Sequence, residues 1–255
     1  MCLILFAWQA HPDYPLVVAA NRDEFFARPT AAADFRADAP DVLAGRDLQA
    51  GGTWLGVARD GRFAALTNYR DPSHNKTDAP SRGELVSRFL SGGQTPRRYL
   101  ADLENGAESY NGFNLLCGDL AELGWFSNRG AGGRMLAPGV YGLSNHLLDT
   151  PWPKVARGKA ALSAALPALP DEAPLFALLR DERAAPDDAL PRTGLSPEWE
   201  RRLSAAFIRA PGYGTRSATV LLINKTGKAR FTEQTFLPDA VPGERREFEF
   251  AVSRR

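Results

Sequence analysis

The sequence is short of the residues on which several protein classes depend. Two cysteines, Cys2 and Cys117, occur in 255 residues, too few for a disulfide scaffold. Three histidines, His11, His74 and His146, lie scattered along the chain and give no metal-ligand cluster, so no metal site is expected. Neither sign of charge dominates. With 31 basic against 30 acidic residues the formal charge is +1, and no long-range field draws the chain toward nucleic acid. No apolar run approaches the ~20 residues that span a bilayer, so no integral membrane contact is expected. The N-terminus has no basic region, its apolar run ends at Gln9, and no small-residue cleavage site follows. The expectation is a cytoplasmic protein whose two cysteines stay thiols.

What is present describes a globular protein. A 44% hydrophobic share, with aromatic residues making up 10% of the chain, is ordinary for a folded domain and too high for a disordered one. The length suits a single domain over 1–255 with a substantial core. Leu3–Trp8 and Leu16–Ala20 read as strands around the turn His11-Pro12-Asp13-Tyr14-Pro15. Thr53–Ala58 and Phe63–Tyr69 flank Asp60-Gly61, a strong hairpin signal. Phe113–Cys117 with Leu123–Ser127, and Ser217–Ile223 with Ala229–Thr235, read as two more pairs; Val140–Ser144 and Arg246–Val252 are further strands. Ser81 with Glu84 predicts a capping box for a helix reaching Leu90. Helices are also predicted from Pro153 to about Leu166, over Leu175–Arg183, and over Pro197–Ile208 with Ser196 as N-cap. The stretch Pro167–Pro197 reads as a flexible excursion.

Hairpins dominate and βαβ alternation is absent, which excludes a doubly wound parallel fold. Runs such as Leu3–Trp8 and Val220–Ile223 are apolar on both faces, so their antiparallel sheet needs cover on both sides. The predicted class is α+β: two stacked, mainly antiparallel sheets with helices outside.

The N-terminus carries the chemical signal. Removal of Met1, favoured by a small second residue, would give Cys2 a thiol and a free α-amine on one residue. An amine with an ordinary pKa near 7.7–8.0 can accept the thiol proton at neutral pH. If Gln9 pairs with Leu16, Asp23 falls opposite Cys2 and Arg22 beside it. Arg22 would then favour the thiolate, and Asp23 would hold the α-ammonium. A solvated strand end with a surface ion pair is the plainer alternative. Cys117, inside an apolar strand, reads as inert core.

The segment Asn21-Arg22-Asp23-Glu24 also carries a resemblance. Together with Met1-Cys2, Arg28-Pro29, Gly51-Gly52-Thr53-Trp54-Leu55-Gly56, Leu66-Thr67-Asn68-Tyr69-Arg70, Ser81-Arg82-Gly83, Tyr110-Asn111-Gly112-Phe113-Asn114-Leu115, Gly142-Leu143-Ser144-Asn145 and Gly214-Thr215-Arg216-Ser217, it resembles the family named for that tetrapeptide (NRDE), which includes the transport and Golgi organisation protein 2 group. That family is distantly similar to N-terminal nucleophile (Ntn) hydrolases of the penicillin V acylase and bile salt hydrolase branch.

The resemblance implies a four-layer αββα sandwich and a cysteine amidohydrolase acting on a non-peptide C–N bond of a small molecule. It implies Cys2 as nucleophile, Arg22 and Asp23 as the second-strand pair, Asn68 and Asn145 as oxyanion donors, and Arg216 as the later arginine. The hydrolases separate their arginine and aspartate, which leaves the individual roles of Arg22 and Asp23 open. Asn68 and Asn145 equally suit strand ends, and Arg216 a structural ion pair. Asn21, Trp54, Tyr69 and His146 are candidate substrate-binding residues, Trp54 and Tyr69 also fitting a core. No cofactor is expected on this reading.

The alternative is a haem- or acyl-lipid-handling protein on the same scaffold. Its axial candidates would be Cys2, Cys117, His11, His74 and His146. His11 and His74 lie in polar loops, and His146 alone follows a site motif. Either way the partner is a small molecule, and nothing in the sequence fixes an oligomeric state.

Overall fold

The structure, a computed structural model, describes residues 2–253, so the expected removal of Met1 falls outside the described residues. Strands β1 (Cys2–Trp8) and β2 (Leu16–Phe25) form the first hairpin. They are followed by β3 (Thr30–Arg36), β4 (Ala39–Asp47), β5 (Leu55–Ala58) and β6 (Phe63–Asn68). Helices α1 (Gly83–Ser91) and α2 (Pro96–Leu103) lead into β7 (Phe113–Gly118), β8 (Leu123–Ser127), β9 (Gly132–Met135) and β10 (Gly139–Leu143). Helices α3 (Pro153–Ala165), α4 (Ala173–Leu179) and α5 (Pro197–Arg202) precede β11 (Arg209–Ala210), β12 (Tyr213–Ile223), β13 (Lys228–Phe236) and β14 (Pro242–Ala251).

These strands build two seven-stranded sheets. The first runs β10-β1-β2-β12-β13-β14 with β11 beside β12, and the second runs β3 through β9 in chain order. Every pairing in both is antiparallel.

The two-faced apolar strands explain the layering. Along β1, Ile4, Phe6 and Trp8 join the core between the sheets, together with Leu43, Phe63 and Leu116 of the second sheet. Leu3, Leu5 and Ala7 point the other way, into a core shared with Val155 and Leu162 of α3 and Leu175 and Leu179 of α4. The second sheet buries Ala64, Leu66 and Leu115 against Leu85, Phe89 and Leu100 of α1 and α2. Helix, sheet, sheet and helix therefore stack as the predicted αββα sandwich.

Several local expectations are corrected. The first hairpin closes one residue tighter than expected, with Trp8 and not Gln9 opposite Leu16. Gln9 adopts a left-handed φ of +47° and belongs to the turn, where its N–H donates to the Pro15 carbonyl. Cys2 therefore faces Arg22, and Leu3 faces Asn21. A one-residue slip moves side chains to the other face of a sheet. Arg22 thus shares Cys2's inter-sheet face, and Asp23 turns toward the helices.

Strands β3 and β4 escaped the sequence reading because alanine and aspartate carry little strand propensity. Their edge position is secured by tertiary pairing of β4 with β5. The capping box at Ser81 does not form: Arg82 is the N-cap of α1, and Glu84 accepts a hydrogen bond from the Tyr110 hydroxyl instead. Helix α4 stops at Leu179, and α5 at Arg202. Ser196 does cap α5, its Oγ accepting from Trp199 N–H at 3.3 Å. Pro167–Pro197 is no excursion, since Leu175 and Leu179 within it are fully buried. Among the described residues, no helix is long and apolar enough to cross a membrane.

Candidate active site

At the open end of the first hairpin a cleft of about 440 Å³ lies between the sheets. Cys2 from β1, Arg22, Asp23 and Glu24 from β2, and Asn68 from the end of β6 reach it. Trp54 and the Ser81-Arg82-Gly83 turn form another side. Four of the six predicted catalytic residues therefore converge, and Cys2 is half-buried where they meet.

The cleft wall explains two of the glycine motifs. Gly52 and Gly83 meet backbone to backbone: a Cβ on Gly52 would stand 2.5 Å from the Gly83 carbonyl carbon. Thr53 N–H donates to the Gly83 carbonyl across this contact at 3.3 Å. Only residues without side chains allow the two loops to close at this distance.

Arg22 is 5% exposed, and its guanidinium lies 4.3 Å from the centre of the Trp54 ring. Its nearest carboxylate oxygen, Asp47 Oδ2, is 3.9 Å away, and its Nη1 has no hydrogen-bond partner. Asp47 is committed elsewhere. It accepts from Arg28 Nε at 2.7 Å and from the N–H groups of Gln49 and Ala50. Burial opposes its charge, but these donors together keep its carboxyl below the ordinary range. Arg82, missed by the sequence reading as a site residue, lines the cleft and donates to the Gly112 carbonyl at 3.0 Å.

Burial pushes the Cys2 thiol above its ordinary value, and the Asp23 charge adds to this. Arg22 and a hydrogen bond from the Asp23 backbone pull it down without overcoming burial. The expectation that Arg22 favours the thiolate thus holds for its own contribution, while the sum runs the other way. Asp23 is 1% exposed. Its Oδ1 accepts from Thr215 Oγ1 at 2.7 Å, and its main-chain carbonyl accepts from the Tyr213 hydroxyl at 3.0 Å. Burial raises its carboxyl pKa, and the buried ammonium of Lys154 is the strongest opposing influence.

Asn145 is fully buried and does not line the cleft. Its Nδ2 donates to the Asn68 carbonyl at 2.9 Å, and its own carbonyl accepts from Arg70 N–H at 2.7 Å. Next to it, Ser144 Oγ donates to the Cys2 carbonyl at 3.0 Å. Thr67 Oγ1 donates to the Ser144 carbonyl at 2.6 Å, and Asn114 Nδ2 donates to Thr67 Oγ1 and to the His146 carbonyl. These side chains clasp β6 and β7 of one sheet to the end of β10 in the other. Here the Leu66–Arg70, Tyr110–Leu115 and Gly142–Asn145 motifs have a common purpose.

The remaining candidates stand off the cleft. Arg216 donates to the carbonyls of Phe25 and Arg28, at 2.9 and 3.0 Å, and lines a smaller neighbouring cavity of about 230 Å³ with Arg22 and Trp54. It bonds main-chain carbonyls, not a carboxylate, and fastens the loop after β2. Asn21 points away, its amide donating to the carbonyls of Leu179 and Ala206 on the helix side at 2.8 Å each. Tyr69 and His146 pack ring to ring at 5.0 Å, and the Trp152 ring lies 5.8 Å from the imidazole. His11 is half-buried in its turn and His74 is exposed. Cys117 is fully buried, and burial pushes its thiol far up, as expected of core. Among the described residues, no cluster of metal-ligating side chains exists.

A four-layer αββα protein with a free cysteine lining its inter-sheet cleft is the class that these observations define. The family model described as Transport and Golgi organisation 2 matches residues 1–238, and the chain belongs to that family. The Transport and Golgi organization protein 2 homolog of Bos taurus is 42% identical, covering 93% of this chain and 94% of its own. The Homo sapiens homolog is 38% identical over 99% of both, and the Drosophila melanogaster protein is 31% identical over 92% of both. Among solved structures, a mutant of the conjugated bile acid hydrolase of Clostridium perfringens covers 99% of this chain and 98% of its own, at 10% identity and a TM-score of 0.43. A Caenorhabditis elegans ortholog of N-acylethanolamine-hydrolyzing acid amidase covers 87% and 92%, at 12% identity and a TM-score of 0.43.

Proposed function

We propose that the protein is a cysteine amidohydrolase that cleaves a C–N bond other than a peptide bond in a small molecule, with Cys2 as nucleophile. The observation that supports this most is the pairing of Cys2 with Arg22 in a polar cleft large enough for a small ligand. On this reading the mature chain begins at Cys2, and its α-amine takes the thiol proton. Sulfur attacks the carbonyl carbon of the amide, and the side chain of Asn68 stabilises the oxyanion. The C–N bond then breaks, the amine leaves with the proton from the α-ammonium, and water hydrolyses the thioester. One oxyanion donor typically contributes ~3–4 kcal/mol to lowering such a barrier.

Two contacts support giving the asparagines different roles on this reading. Asn68 lines the cleft, whereas Asn145 spends its amide on the Asn68 carbonyl and fixes that strand end. The reading keeps the protein in a reducing compartment, in accord with two free thiols. Haem handling gains no comparable support: among the described cleft residues Cys2 is the one candidate axial ligand, and the three histidines lie elsewhere.

Labelling with an electrophilic cysteine probe, combined with intact mass spectrometry, tests the proposal. The expected result is a mass lacking Met1 and adduct formation at Cys2 but not Cys117, lost in Cys2→Ser. Retention of Met1 in active protein, or equal labelling of both cysteines in the folded state, would overturn it.

A further inference from the structure

The inter-sheet face of the first sheet lines a second cavity beside the cleft, and acyl transfer as written does not use it. Cys2 of β1 lies across from Arg22 of β2, Arg22 across from Ser217 of β12, and Ser217 across from Thr235 of β13. Directly paired residues share a face, so these four form one polar row across four strands. Cys2 and Arg22 line the cleft, whereas Arg22, Ser217 and Thr235 line a chamber of about 230 Å³. Trp54, from the loop before β5 of the other sheet, lines both. A β-bulge falls between Thr215 and Ser217 and leaves Arg216 as the extra residue. Bulges re-aim side chains, and here a second arginine comes to the chamber wall.

The two guanidinium groups are short of partners. Arg22 is 5% exposed, yet its Nη1 meets no hydrogen-bond acceptor among the described residues. Asp47 approaches it only to 3.9 Å and is held by Arg28 at 2.7 Å. Arg216 spends Nη1 on the carbonyls of Phe25 and Arg28 and forms no ion pair among the described residues. Two carboxyl groups also line the chamber, and neither forms an ion pair with these arginines. Glu244 accepts from Arg246 Nε at 2.8 Å. Glu233, 2% exposed, accepts from the Ala33 N–H at 2.7 Å, and burial raises its carboxyl pKa. A buried N–H of a cation that lacks an acceptor is costly, and a guanidinium fork matches a carboxylate in shape and charge. The rest of the wall is apolar, with Ala32, Trp54 and Phe236 prominent in it. At about 30 Å³ for the share of one water in the liquid, the chamber has room for a small organic molecule.

We propose that this chamber is a binding site for a small organic monocarboxylate, its carboxylate held by Arg22 and Arg216 and its carbon chain laid against Trp54 and Phe236. The apolar wall selects an organic acid over an inorganic anion, and the Glu233 carboxyl disfavours a second negative charge. Neighbouring strands stand ~4.8 Å apart, so the site begins one strand beyond the thiol. It adjoins the cleft through Arg22 and Trp54 and does not include Cys2. Binding there is therefore independent of the hydrolase reading.

The full chain has five tryptophans, so its indole N–H resonances are few enough to assign, with Trp54→Phe identifying one. Sodium butyrate is the probe, and sodium chloride at equal ionic strength is the blank. The expected result is a saturable shift of the Trp54 indole resonance with butyrate and none with chloride. Affinity is expected to fall about tenfold or more in Arg216→Gln and to recover in part in Arg216→Lys. Ala32→Leu keeps both arginines, fills the chamber and also loses the binding, which separates the site from the loop that Arg216 fastens. Arg82→Gln, which alters the cleft wall alone, binds butyrate as wild type does. Inorganic phosphate binds more weakly, having no chain for the apolar wall. The proposal is overturned if butyrate gives no saturable shift. It is also overturned if folded Arg216→Gln and Ala32→Leu bind as wild type does, or if Arg82→Gln alone loses the binding. Phosphate bound as tightly as butyrate overturns the assignment to a carboxylate. Cys2→Ser is expected to bind butyrate unchanged, so a Cys2 that is never acylated removes the hydrolase reading and leaves this site standing.

Discussion

The Arg22 guanidinium rests 4.3 Å from the Trp54 ring centre while occupying the strand position directly across from Cys2. Trp54 is thus a platform that holds a buried cation at the thiol. A desolvated cation on an indole face contributes up to about 2 kcal/mol, and the ring also packs against the inter-sheet core. Trp54→Ala is expected to lower unfolding free energy by about 3 kcal/mol, and Trp54→Phe by less than half of that. Urea denaturation of both variants checks the order.

The Gly52–Gly83 contact yields a paired prediction. Gly51 has φ +78° with open space around its Cβ direction, so Gly51→Ala meets backbone strain alone, about 1 kcal/mol. Gly52→Ala puts a methyl 2.5 Å from main-chain carbon that has no side-chain freedom to yield, costing about 2–3 kcal/mol. Gly52→Ala is also expected to slow Cys2 labelling, because the cleft wall separates. Thermal denaturation and labelling rate, measured on both variants, distinguish the two causes.

Asn145→Ala removes the donor to the half-buried Asn68 carbonyl, a loss of about 1 kcal/mol. Asn145→Asp should be worse, since a carboxylate placed against a carbonyl repels it. Both variants are expected to react more slowly at Cys2 than wild type at equal folded fraction. Circular dichroism fixes that fraction.

Lys154 predicts a pH dependence of stability. The unfolded lysine holds its proton to 10.5, whereas the folded one releases it near 8, so between these values the unfolded chain binds more protons. The charged Lys154 costs the folded state stability below pH 8, and this cost is relieved as pH rises from 8 to 10.5. The total is on the order of 3 kcal/mol. Lys154→Met lacks this rise, so the stability difference between variant and wild type should shrink across that window. Denaturant titrations at pH 7, 9 and 10.5 measure it.

Cys117 offers a control. Its thiol is fully buried and pushed far above its ordinary value, so iodoacetamide at pH 8 should modify it only after denaturation. Modification of Cys117 in native protein would show that the α1/α2 side of the second sheet opens locally.

Periodicity and turn chemistry carried much of this molecule. Asp60-Gly61 marked its hairpin because Gly61 must adopt φ +86°, and the two-faced apolar strands required cover on both sides of their sheet. Cys2, Arg22 and Asp23 were legible as neighbours because the first hairpin pairs their strands, and Asn68 entered through the family resemblance; the fold brings all four to one cleft. Three matters were decided only by tertiary structure. The hairpin register depended on the backbone of Gln9, and that one residue determined which of Arg22 and Asp23 shares a face with Cys2. The division between Asn68 and Asn145 depended on two strand ends from different sheets meeting through one hydrogen bond. Lys154 gave no sign in sequence, where it reads as one charge in an alanine-rich helix. Its burial arises from how closely Gly158 lets that helix approach β1, and contacts between residues so distant along the chain are fixed by packing, which local pattern does not encode.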